Sequence, residues 1–175
     1  QEAFLTKAEQ ILAELAPSIH LVPVLLGTIT KNKLRPGRPL FNSAVLLQGG
    51  EVKQFFHKRL LPTYDVFNED RYFEVGKSSD FFEWQGEKVG VSICEDIWND
   101  KDFWQERRYD KDPIEQLKEK GCSLILNLSA SPWHWQKETL RYEMLKTVAI
   151  GKKITVALCN LVGGNDQLIF DGHSI

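Results

Sequence analysis

The chain has 175 residues, enough for one domain with a sizeable core, and its formal net charge is −2. It has no long basic run, so nucleic acid is not favoured as a partner, and its apolar runs are too short to span a bilayer. Its widely spaced cysteines, Cys94, Cys122 and Cys159, form no Cys-x-x-Cys pair. They indicate neither a disulfide framework nor a zinc site, and they favour a reducing cytoplasm. The opening residues resemble a helix rather than a secretory signal.

Hairpins dominate the first half of the chain. Apolar residues at helical spacing predict an amphipathic helix over residues 1–16, which Pro17 ends. Runs rich in Val, Leu and Ile predict strands, and Gly49-Gly50 reads as a two-residue hairpin turn. The predicted strands cover residues 21–30, 41–48 and 51–57. The long segment 58–80 has no clear period, and segments of this length in compact domains are often functional.

Strands and helices alternate in the second half. We expect a hairpin around Gly86, with strands over 81–85 and 88–93, and a turn at 163–166 before a short strand at 168–170. Helices are predicted over 113–120, with Pro113 in the first turn, and over 133–152. Further strands are predicted over 123–127 and 154–160. The alternation indicates an α/β fold, a mixed sheet with helices packed on it, and no domain boundary inside residues 1–175.

The stretch Val89–Trp98 carries the first chemical signal. An apolar strand runs up to Cys94, and Glu95 and Asp96 follow at once, as suits the first turn of a helix. Open α/β sheets bind ligands at the carboxyl ends of their strands, and a helix N-terminus favours the reactive thiolate. Cys94 is therefore a candidate nucleophile. The alternative is a buried cysteine that only fills space.

Three other places are candidates for the same chemistry: His57-Lys58, Glu69 and the segment 127–132. Because Lys58, Cys94 and the 127–132 segment each follow a strand, we expect them to converge on one edge of the sheet. A lysine ammonium can stabilise both a thiolate and the oxyanion of an attacked carbonyl, and a carboxylate is still needed to move protons.

Each of these residues also has a purely structural explanation. Lys58 could be a solvated lysine at a strand end, and Glu69 could pair with Arg71 on the surface. Ser129 and Ser131 could cap the helix that follows them. A Cys–His hydrolase is a rival scheme, with His134 or His173 as its base. The histidines His57, His134 and His173 are too scattered to indicate a metal site.

Five stretches resemble known motifs. Phe56–Pro62 and Gly90–Trp98 resemble the lysine and cysteine motifs of the nitrilase (carbon–nitrogen hydrolase) superfamily, in that family's order. The other three look like stretches of the glutamine amidotransferase domain family found in glutamine-dependent NAD synthetases. They are Tyr64–Phe73, Asn127–Pro132 and Val162–Gly172. Two positions depart from the pattern, since His57 stands where arginine is frequent and His173 where glycine is usual.

This resemblance implies a nitrilase-type αββα sandwich that hydrolyses the side-chain amide of glutamine through a thioester. The ammonia would serve ATP-dependent NAD synthesis from nicotinate adenine dinucleotide. Cys94 would be the nucleophile, Lys58 would hold the oxyanion and the thiolate, and Glu69 would support the lysine. Positions that shape the glutamine pocket in the family match Tyr64, Phe67, Glu95, Trp98, Ser131 and Lys137.

The resemblance also implies parts that lie outside this chain. The general-base glutamate of the family precedes the opening helix, so we expect a fragment that lacks the first strand and does not turn over glutamine alone. The synthetase domain, with its ATP and magnesium, would follow residue 175, and the protein would form homo-oligomers. Two alternatives remain: a stand-alone nitrilase-type amidase acting on another amide, and a non-catalytic assembly or regulatory fragment.

Overall fold

The computed structural model describes residues 2–34 and 36–175. It divides into two compact units, the first ending at Ser78 and the second beginning at Ser79. Among the described residues, no helix combines the length and the apolar character needed to cross a membrane.

The first unit is one helix and an antiparallel three-stranded sheet in the order β1-β2-β3. A short 3-10 turn, Ala16–Ser18, follows the helix at Pro17, which lacks the N–H that would continue it. These elements confirm the helix and the three strands predicted for this half. Their bounds are α1 Glu2–Leu15, β1 Val24–Lys31, β2 Leu40–Gln48 and β3 Glu51–His57.

The core of this unit lies between α1 and one face of the sheet. Ala16, Val45 and Leu47 are buried at its centre, and Leu12, Leu15, Ile19, Val24 and Leu26 pack around them. The turn between β2 and β3 needs a positive φ at both central positions, and Gly49 (φ 61°) and Gly50 (φ 83°) supply it without a steric cost. The predicted hairpin turn is therefore confirmed.

The segment that follows β3 has little regular structure but is fastened to the sheet. The Glu74 N–H donates to the Leu40 carbonyl at 2.7 Å, and the Gly76 N–H donates to the Lys58 carbonyl at 2.8 Å. A Cβ at Gly76 would lie 2.3 Å from the carbonyl oxygen of His57, so only glycine allows this approach. Its one regular piece is the 3-10 turn Glu69–Arg71.

The second unit contains a four-stranded sheet in the order β4-β5-β6-β7, a separate two-stranded hairpin and two helices. β4 and β5 are antiparallel, whereas β5, β6 and β7 are parallel, so the last three strands end at the same edge. The sheet strands are β4 Phe81–Trp84, β5 Glu87–Ile93, β6 Leu124–Ser129 and β7 Thr155–Asn160. The remaining elements are α2 Pro113–Glu119, α3 Lys137–Lys152, β8 Val162–Asn165 and β9 Leu168–Asp171.

Apolar residues of the two helices and the parallel strands form one buried cluster in this unit. α2 begins where its sequence indicates, because the Asp112 carboxylate accepts from the backbone N–H groups of Ile114 and Glu115, both at 3.0 Å. The buried members are Ile97, Ile114, Leu117, Cys122, Ile125, Met144, Leu145, Val148, Ile154 and Leu158.

Three sequence-based expectations are wrong in detail. Residues 163–165 belong to strand β8 rather than to a turn, and the chain reverses at Asp166 (φ 53°) and Gln167 instead. α3 begins at Lys137 rather than Trp133, because Gln136 takes a φ of 65° that a helix excludes. Ser129 and Ser131 therefore lie too far upstream to cap it, and Ser129 is the last residue of β6.

The expected convergence on one sheet edge also needs correction. Cys94 follows β5 and Ser129 ends β6, and these are neighbours in the four-stranded sheet. Lys58 follows β3, which belongs to the separate three-stranded sheet of the first unit. The single mixed sheet expected from the sequence is therefore two sheets and a hairpin.

Candidate active site

Lys58 and Glu69 form a buried ion pair in the first unit. The lysine Nζ lies 2.6 Å from Glu69 Oε1, and the two side chains are 2% and 17% exposed. The second carboxylate oxygen, Oε2, accepts from Asn42 Nδ2 at 3.1 Å. Both oxygens of Glu69 are thus engaged, and the side chain supports Lys58 rather than Arg71. The reading of Lys58 as a solvated lysine is wrong.

The backbone around this pair is fixed as well. The Lys58 N–H donates to the Asn42 carbonyl at 2.9 Å, so Asn42 holds Lys58 by its main chain and Glu69 by its side chain. The Glu69 N–H donates to the Pro62 carbonyl at 3.1 Å. These bonds stabilise the loop conformation that brings Glu69 to the lysine.

Tyr64 and Phe67, two expected pocket residues, lie on the loop between Lys58 and Glu69. The Phe67 N–H donates to the Tyr64 carbonyl at 3.0 Å, which closes a tight turn with Asp65 at φ 53°. The two rings meet edge to face, with centroids 5.7 Å apart. They form a half-buried aromatic pair on the same loop as Glu69.

Cys94 occupies a strained turn directly after β5. Its φ is 46°, in the left-handed region that residues with a Cβ rarely enter, and its side chain is partly exposed. Strain of this kind costs of order 1–3 kcal/mol and is concentrated at functional sites. The four residues Cys94–Ile97 form a 3-10 turn, not the α-helix that the sequence suggests. Asp96 stabilises the turn, because its Oδ2 accepts from the Ile93 N–H at 3.0 Å.

Asn127 ties the Cys94 turn to the neighbouring strand β6. It lies opposite Ser92 in the register of the sheet, and its Nδ2 donates to Ser92 Oγ at 2.8 Å and to the Cys94 carbonyl at 3.4 Å. Ser129 Oγ donates to Asn127 Oδ1 at 2.7 Å. Asn127 is only 1% exposed, so these bonds form out of water, where leaving the amide unpaired would be costly.

Glu95 follows the cysteine and is 6% exposed. The Tyr109 hydroxyl donates to Glu95 Oε1 at 3.2 Å. Tyr109 belongs to the irregular stretch between the Cys94 turn and α2, and its own main chain is bound by the Asn99 side chain. A buried acid beside a candidate nucleophile suits the recognition of a cationic group on a substrate.

Trp98, Ser131 and Lys137 also belong to the second unit. Lys137 Nζ lies 5.7 Å from the Trp98 ring centroid and donates to the Pro132 carbonyl at 2.7 Å. Ser131 is 3% exposed, and its N–H donates to Asn160 Oδ1 at 2.9 Å. The structure thus places Lys137 against both Trp98 and the residue that follows Ser131.

A polar network behind Ser131 reaches the end of the chain. Asn160 Nδ2 donates to Asp171 Oδ1 at 3.1 Å and to the Gly172 carbonyl at 2.8 Å. The fully buried Arg141 pairs with the same Asp171 at 3.1 Å. Burial opposes ionisation of Asp171, but Arg141 and His173 outweigh it and hold the pKa of this carboxyl below its usual range. His173 therefore has a structural partner, and nothing in the structure favours it as a catalytic base.

The three cysteines have different surroundings. Cys122 is buried, and burial raises the pKa of its thiol, although Lys88 and Lys120 oppose the effect. Cys159 is exposed on β7, the last strand of its sheet, and it lacks the strained turn of Cys94. In the described part of the chain, no three His, Cys, Asp or Glu side chains are arranged to hold a metal ion.

Sequence reasoning missed Asn42, Tyr109 and Asn160. Asn42 and Asn160 sit within or at the end of strands, where asparagine is disfavoured, and this local conflict was the available signal. Tyr109 carries no such signal, because it lies in a charged, irregular stretch whose path the sequence does not define.

Comparison with known proteins gives consistent results. The sequence model of the carbon–nitrogen hydrolase family matches residues 5–175. A glutamine-dependent NAD(+) synthetase from Synechocystis sp. is 46% identical over 168 residues, which cover 94% of this chain and 30% of that protein. The Thermotoga maritima protein of the same name is 38% identical over 158 residues, covering 88% of this chain and 24% of its own length. The chain thus spans less than a third of these relatives.

Solved structures agree with the sequence matches. Glutamine-dependent NAD+ synthetase from Acinetobacter baumannii superposes with a TM-score of 0.82 at 32% identity, over 97% of this chain and 30% of that one. A Nesterenkonia amidase of the nitrilase superfamily superposes with a TM-score of 0.74 at 20% identity, over 98% of this chain and 58% of the other. The second likeness concerns the fold alone. Together they confirm the α/β, nitrilase-type fold class expected from the sequence.

Proposed function

The chain belongs to the carbon–nitrogen hydrolase family, and we propose that it hydrolyses the side-chain amide of glutamine to supply ammonia for NAD synthesis. The observation that carries this proposal is the 46% identity with a glutamine-dependent NAD(+) synthetase over 94% of the chain. The chain supplies a candidate nucleophile, Cys94, and a candidate oxyanion-stabilising residue, Lys58, each in a supported conformation.

We propose Cys94 as the nucleophile. Its sulfur attacks the amide carbon, and a carbon–sulfur bond forms as the carbonyl oxygen becomes an oxyanion. The oxyanion re-forms the carbonyl as the carbon–nitrogen bond breaks, and the proton that the thiol gave up passes to the nitrogen, which leaves as ammonia. Water then cleaves the thioester, which gives glutamate and returns a proton to the Cys94 sulfur. The strained turn at Cys94 supports this role, since strain is maintained there at a cost that a space-filling cysteine would not require.

We propose that Lys58 stabilises the oxyanion as a protonated ammonium. Its pairing with Glu69 at 2.6 Å favours the charged form of the lysine. Glu69 is unsuited to be the general base, because its two oxygens are engaged by Lys58 and Asn42. This is the supporting role that the family resemblance implies for Glu69. The base is then another glutamate, as that resemblance also implies.

The pocket residues are proposed from their chemistry. Glutamine carries an α-ammonium and an α-carboxylate, which require an acid and a base. We assign Glu95 to the ammonium, and Lys137 with Ser131 to the carboxylate. Tyr64, Phe67 and Trp98 supply apolar walls for the methylene groups between the two ends.

The rest of the reaction is proposed to belong to a synthetase domain on the same polypeptide, where ATP and magnesium act on nicotinate adenine dinucleotide. A homo-oligomer is part of this proposal. We also propose a reducing, cytoplasmic location, since all three cysteines are free thiols.

The test is ammonia release by the full-length polypeptide from a panel of amides that includes glutamine, asparagine and simple aliphatic amides. We expect a strong preference for glutamine and its loss in Cys94→Ala. Equal turnover of the aliphatic amides would favour a stand-alone amidase. No turnover of any amide, with the fold retained, would favour the non-catalytic alternative.

A further inference from the structure

We propose that Tyr109 is a positioning residue that orients Glu95 for the α-ammonium of the substrate; this inference rests on the proposed function. Tyr109 lies 14 residues after Glu95 in the chain, and its hydroxyl donates to Glu95 Oε1 at 3.2 Å. A glutamate side chain has several rotamers, and a hydrogen bond from a fixed donor selects one of them. An oriented carboxylate binds a small cation more tightly because less entropy is lost on binding.

The main chain of Tyr109 is fixed by a single buried side chain. Asn99, 2% exposed, donates from Nδ2 to the Tyr109 carbonyl at 2.8 Å and to the Lys111 carbonyl at 2.7 Å. Its Oδ1 accepts from the Tyr109 N–H at 3.3 Å. Asn99 thus satisfies both main-chain groups of Tyr109, much as a neighbouring strand would. The hydroxyl is presented from a rigid support although the stretch has no regular structure.

Acidic residues at both ends of this stretch form ion pairs with the Lys152 ammonium on α3. Lys152 Nζ lies 3.2 Å from Asp100 Oδ2 and 3.4 Å from Asp112 Oδ2, with the lysine side chain 4% exposed. Asp100 also accepts from the N–H groups of Asp102 and Phe103, which closes the first turn of the stretch. The stretch is therefore built to hold a fixed shape, and through the Tyr109 hydroxyl it contacts Glu95 in the Cys94 turn.

The hydrogen bond from Tyr109 to Glu95 indicates a role in substrate recognition rather than in the chemical step. The Tyr109 hydroxyl reaches Glu95 and acts through it, so its loss should weaken recognition of the ammonium without changing the reacting groups. A mutation of this kind raises KM and leaves kcat unchanged. A ligand that lacks the ammonium should not respond to it.

The experiment measures binding of glutamine and of glutaramate, which lacks the α-amino group, to full-length protein carrying Cys94→Ala. In that background we expect Tyr109→Phe to raise the Kd of glutamine about tenfold and to leave the Kd of glutaramate unchanged. Tyr142→Phe, at a half-exposed tyrosine on α3, is the matched control and should change neither. Combining Tyr109→Phe with Glu95→Gln should add no further loss.

Steady-state kinetics of the full-length protein with Cys94 intact separate this inference from the proposed function. We expect Tyr109→Phe to raise KM for glutamine at constant kcat. Equal losses for both ligands, or no loss for glutamine, would overturn the role of Tyr109 while glutamine hydrolysis stands. Selective weakening of glutamine binding in a protein that releases no ammonia would keep Tyr109 and reject the function. Failure to bind either ligand would reject both.

Discussion

Lys58 and Glu69 meet at 2.6 Å in a setting where only 2% of the lysine side chain is exposed. A buried ion pair is weak evidence for stability, since desolvation offsets most of the attraction between the charges. The loop from Lys58 to Glu69 is nevertheless held in place by bonds from Asn42 and Pro62. Such an arrangement supports the proposed role of Lys58 better than a role in folding stability alone.

The first prediction concerns the charge on Lys58. If the ammonium acts on the developing oxyanion as proposed, Lys58→Ala should lower glutaminase activity on the order of 10²-fold or more. Lys58→Arg should not restore activity, since a planar guanidinium does not replace a compact ammonium at 2.6 Å from Glu69. Ammonia release by the full-length protein is the measurement.

The same substitution should also affect stability. Lys58→Ala leaves the Glu69 carboxylate without its cation, at a cost of up to about 3 kcal/mol in the free energy of unfolding. Lys58→Met combined with Glu69→Gln should recover stability but not activity. Lys53→Ala is the control, since Lys53 pairs with Glu51 at the surface. Activity that returned with stability in the double variant would show that the charge is not needed.

The second prediction separates reactivity from exposure. Cys94 is partly exposed, whereas Cys159 is exposed and Cys122 is buried. A glutamine-mimicking chloroketone or diazoketone should nevertheless label Cys94, because a substrate-like reagent reports binding and thiolate character together. Peptide mapping of the adduct is the measurement. As a control, the Cys159→Ser variant should be labelled to the same extent as the wild-type protein. An adduct mainly on Cys122 or Cys159 would show that the nucleophile is assigned wrongly.

Local patterns predicted most of the secondary structure. The Gly49-Gly50 turn, Pro113 in the first turn of α2 and the apolar run into Cys94 each depend on residues that are close in sequence. The sequence was misleading where glycines lie in a strand. Gly163 and Gly164 read as a turn, but they pair with Phe170 and Ile169 in the β8–β9 hairpin. Pairing between strands overrides local preference there.

The sequence predicted the site residues that lie in recognisable motifs, but not the residues that support them. Cys94, Lys58 and Glu69 lie in recognisable motifs, and the pairing of Lys58 with Glu69 agrees with the role that the resemblance gives the glutamate. The support from Asn42 and from Tyr109 depends on contacts 27 and 14 residues away in the chain. Such contacts follow from the path of the backbone, which no local pattern specifies.

The third prediction concerns Asn127. Removing its amide in Asn127→Ala leaves the Cys94 carbonyl and the hydroxyls of Ser92 and Ser129 without this partner in a buried place. We expect kcat to fall about tenfold or more, since a small displacement of a nucleophile is costly, while KM for glutamine changes little. Asn68→Ala, at an exposed asparagine in the first unit, is the control. An unchanged kcat would show that the Cys94 turn holds its conformation without Asn127.

The fourth prediction concerns stability alone. Lys152 is surrounded by three carboxylates, with Glu115 Oε2 at 2.5 Å in addition to Asp100 and Asp112. Burial acts to lower the pKa of this lysine, but the carboxylates outweigh it and the pKa is raised. Lys152→Met removes the ammonium that these three acids share and should cost about 3–5 kcal/mol in the free energy of unfolding.

The control for Lys152 is a lysine on the same helix. Lys146 pairs with Glu143 at 3.5 Å, and both side chains are half exposed. Lys146→Met should therefore change the free energy of unfolding by about 0–1 kcal/mol in urea titrations. Equal losses from the two substitutions would mean that the buried cluster does not stabilise the second unit.

The last prediction concerns pH and His57, whose ring stacks on Phe41 with centroids 4.1 Å apart and whose Nδ1 lies 2.8 Å from Ser43 Oγ. Burial lowers the pKa of this imidazole below its usual value. The folded protein then binds the proton less readily than the unfolded chain, where the pKa is about 6.5. Above about pH 6.5 His57 is neutral in both states and does not change the free energy of unfolding. As the pH falls from there toward the folded-state pKa, the unfolded chain takes up the proton first, and the free energy of unfolding decreases.

The measurement is the free energy of unfolding of the wild-type protein and of His57→Gln at pH 8 and at pH 5.5. Glutamine does not titrate, so the fall in stability between the two pH values should be smaller in the variant, even if the variant is less stable at pH 8 because the stack on Phe41 is lost. His134→Gln, at an exposed histidine, should reproduce the wild-type slope. An unchanged slope in His57→Gln would show that His57 is protonated as readily in the fold as in the unfolded chain, which its burial opposes.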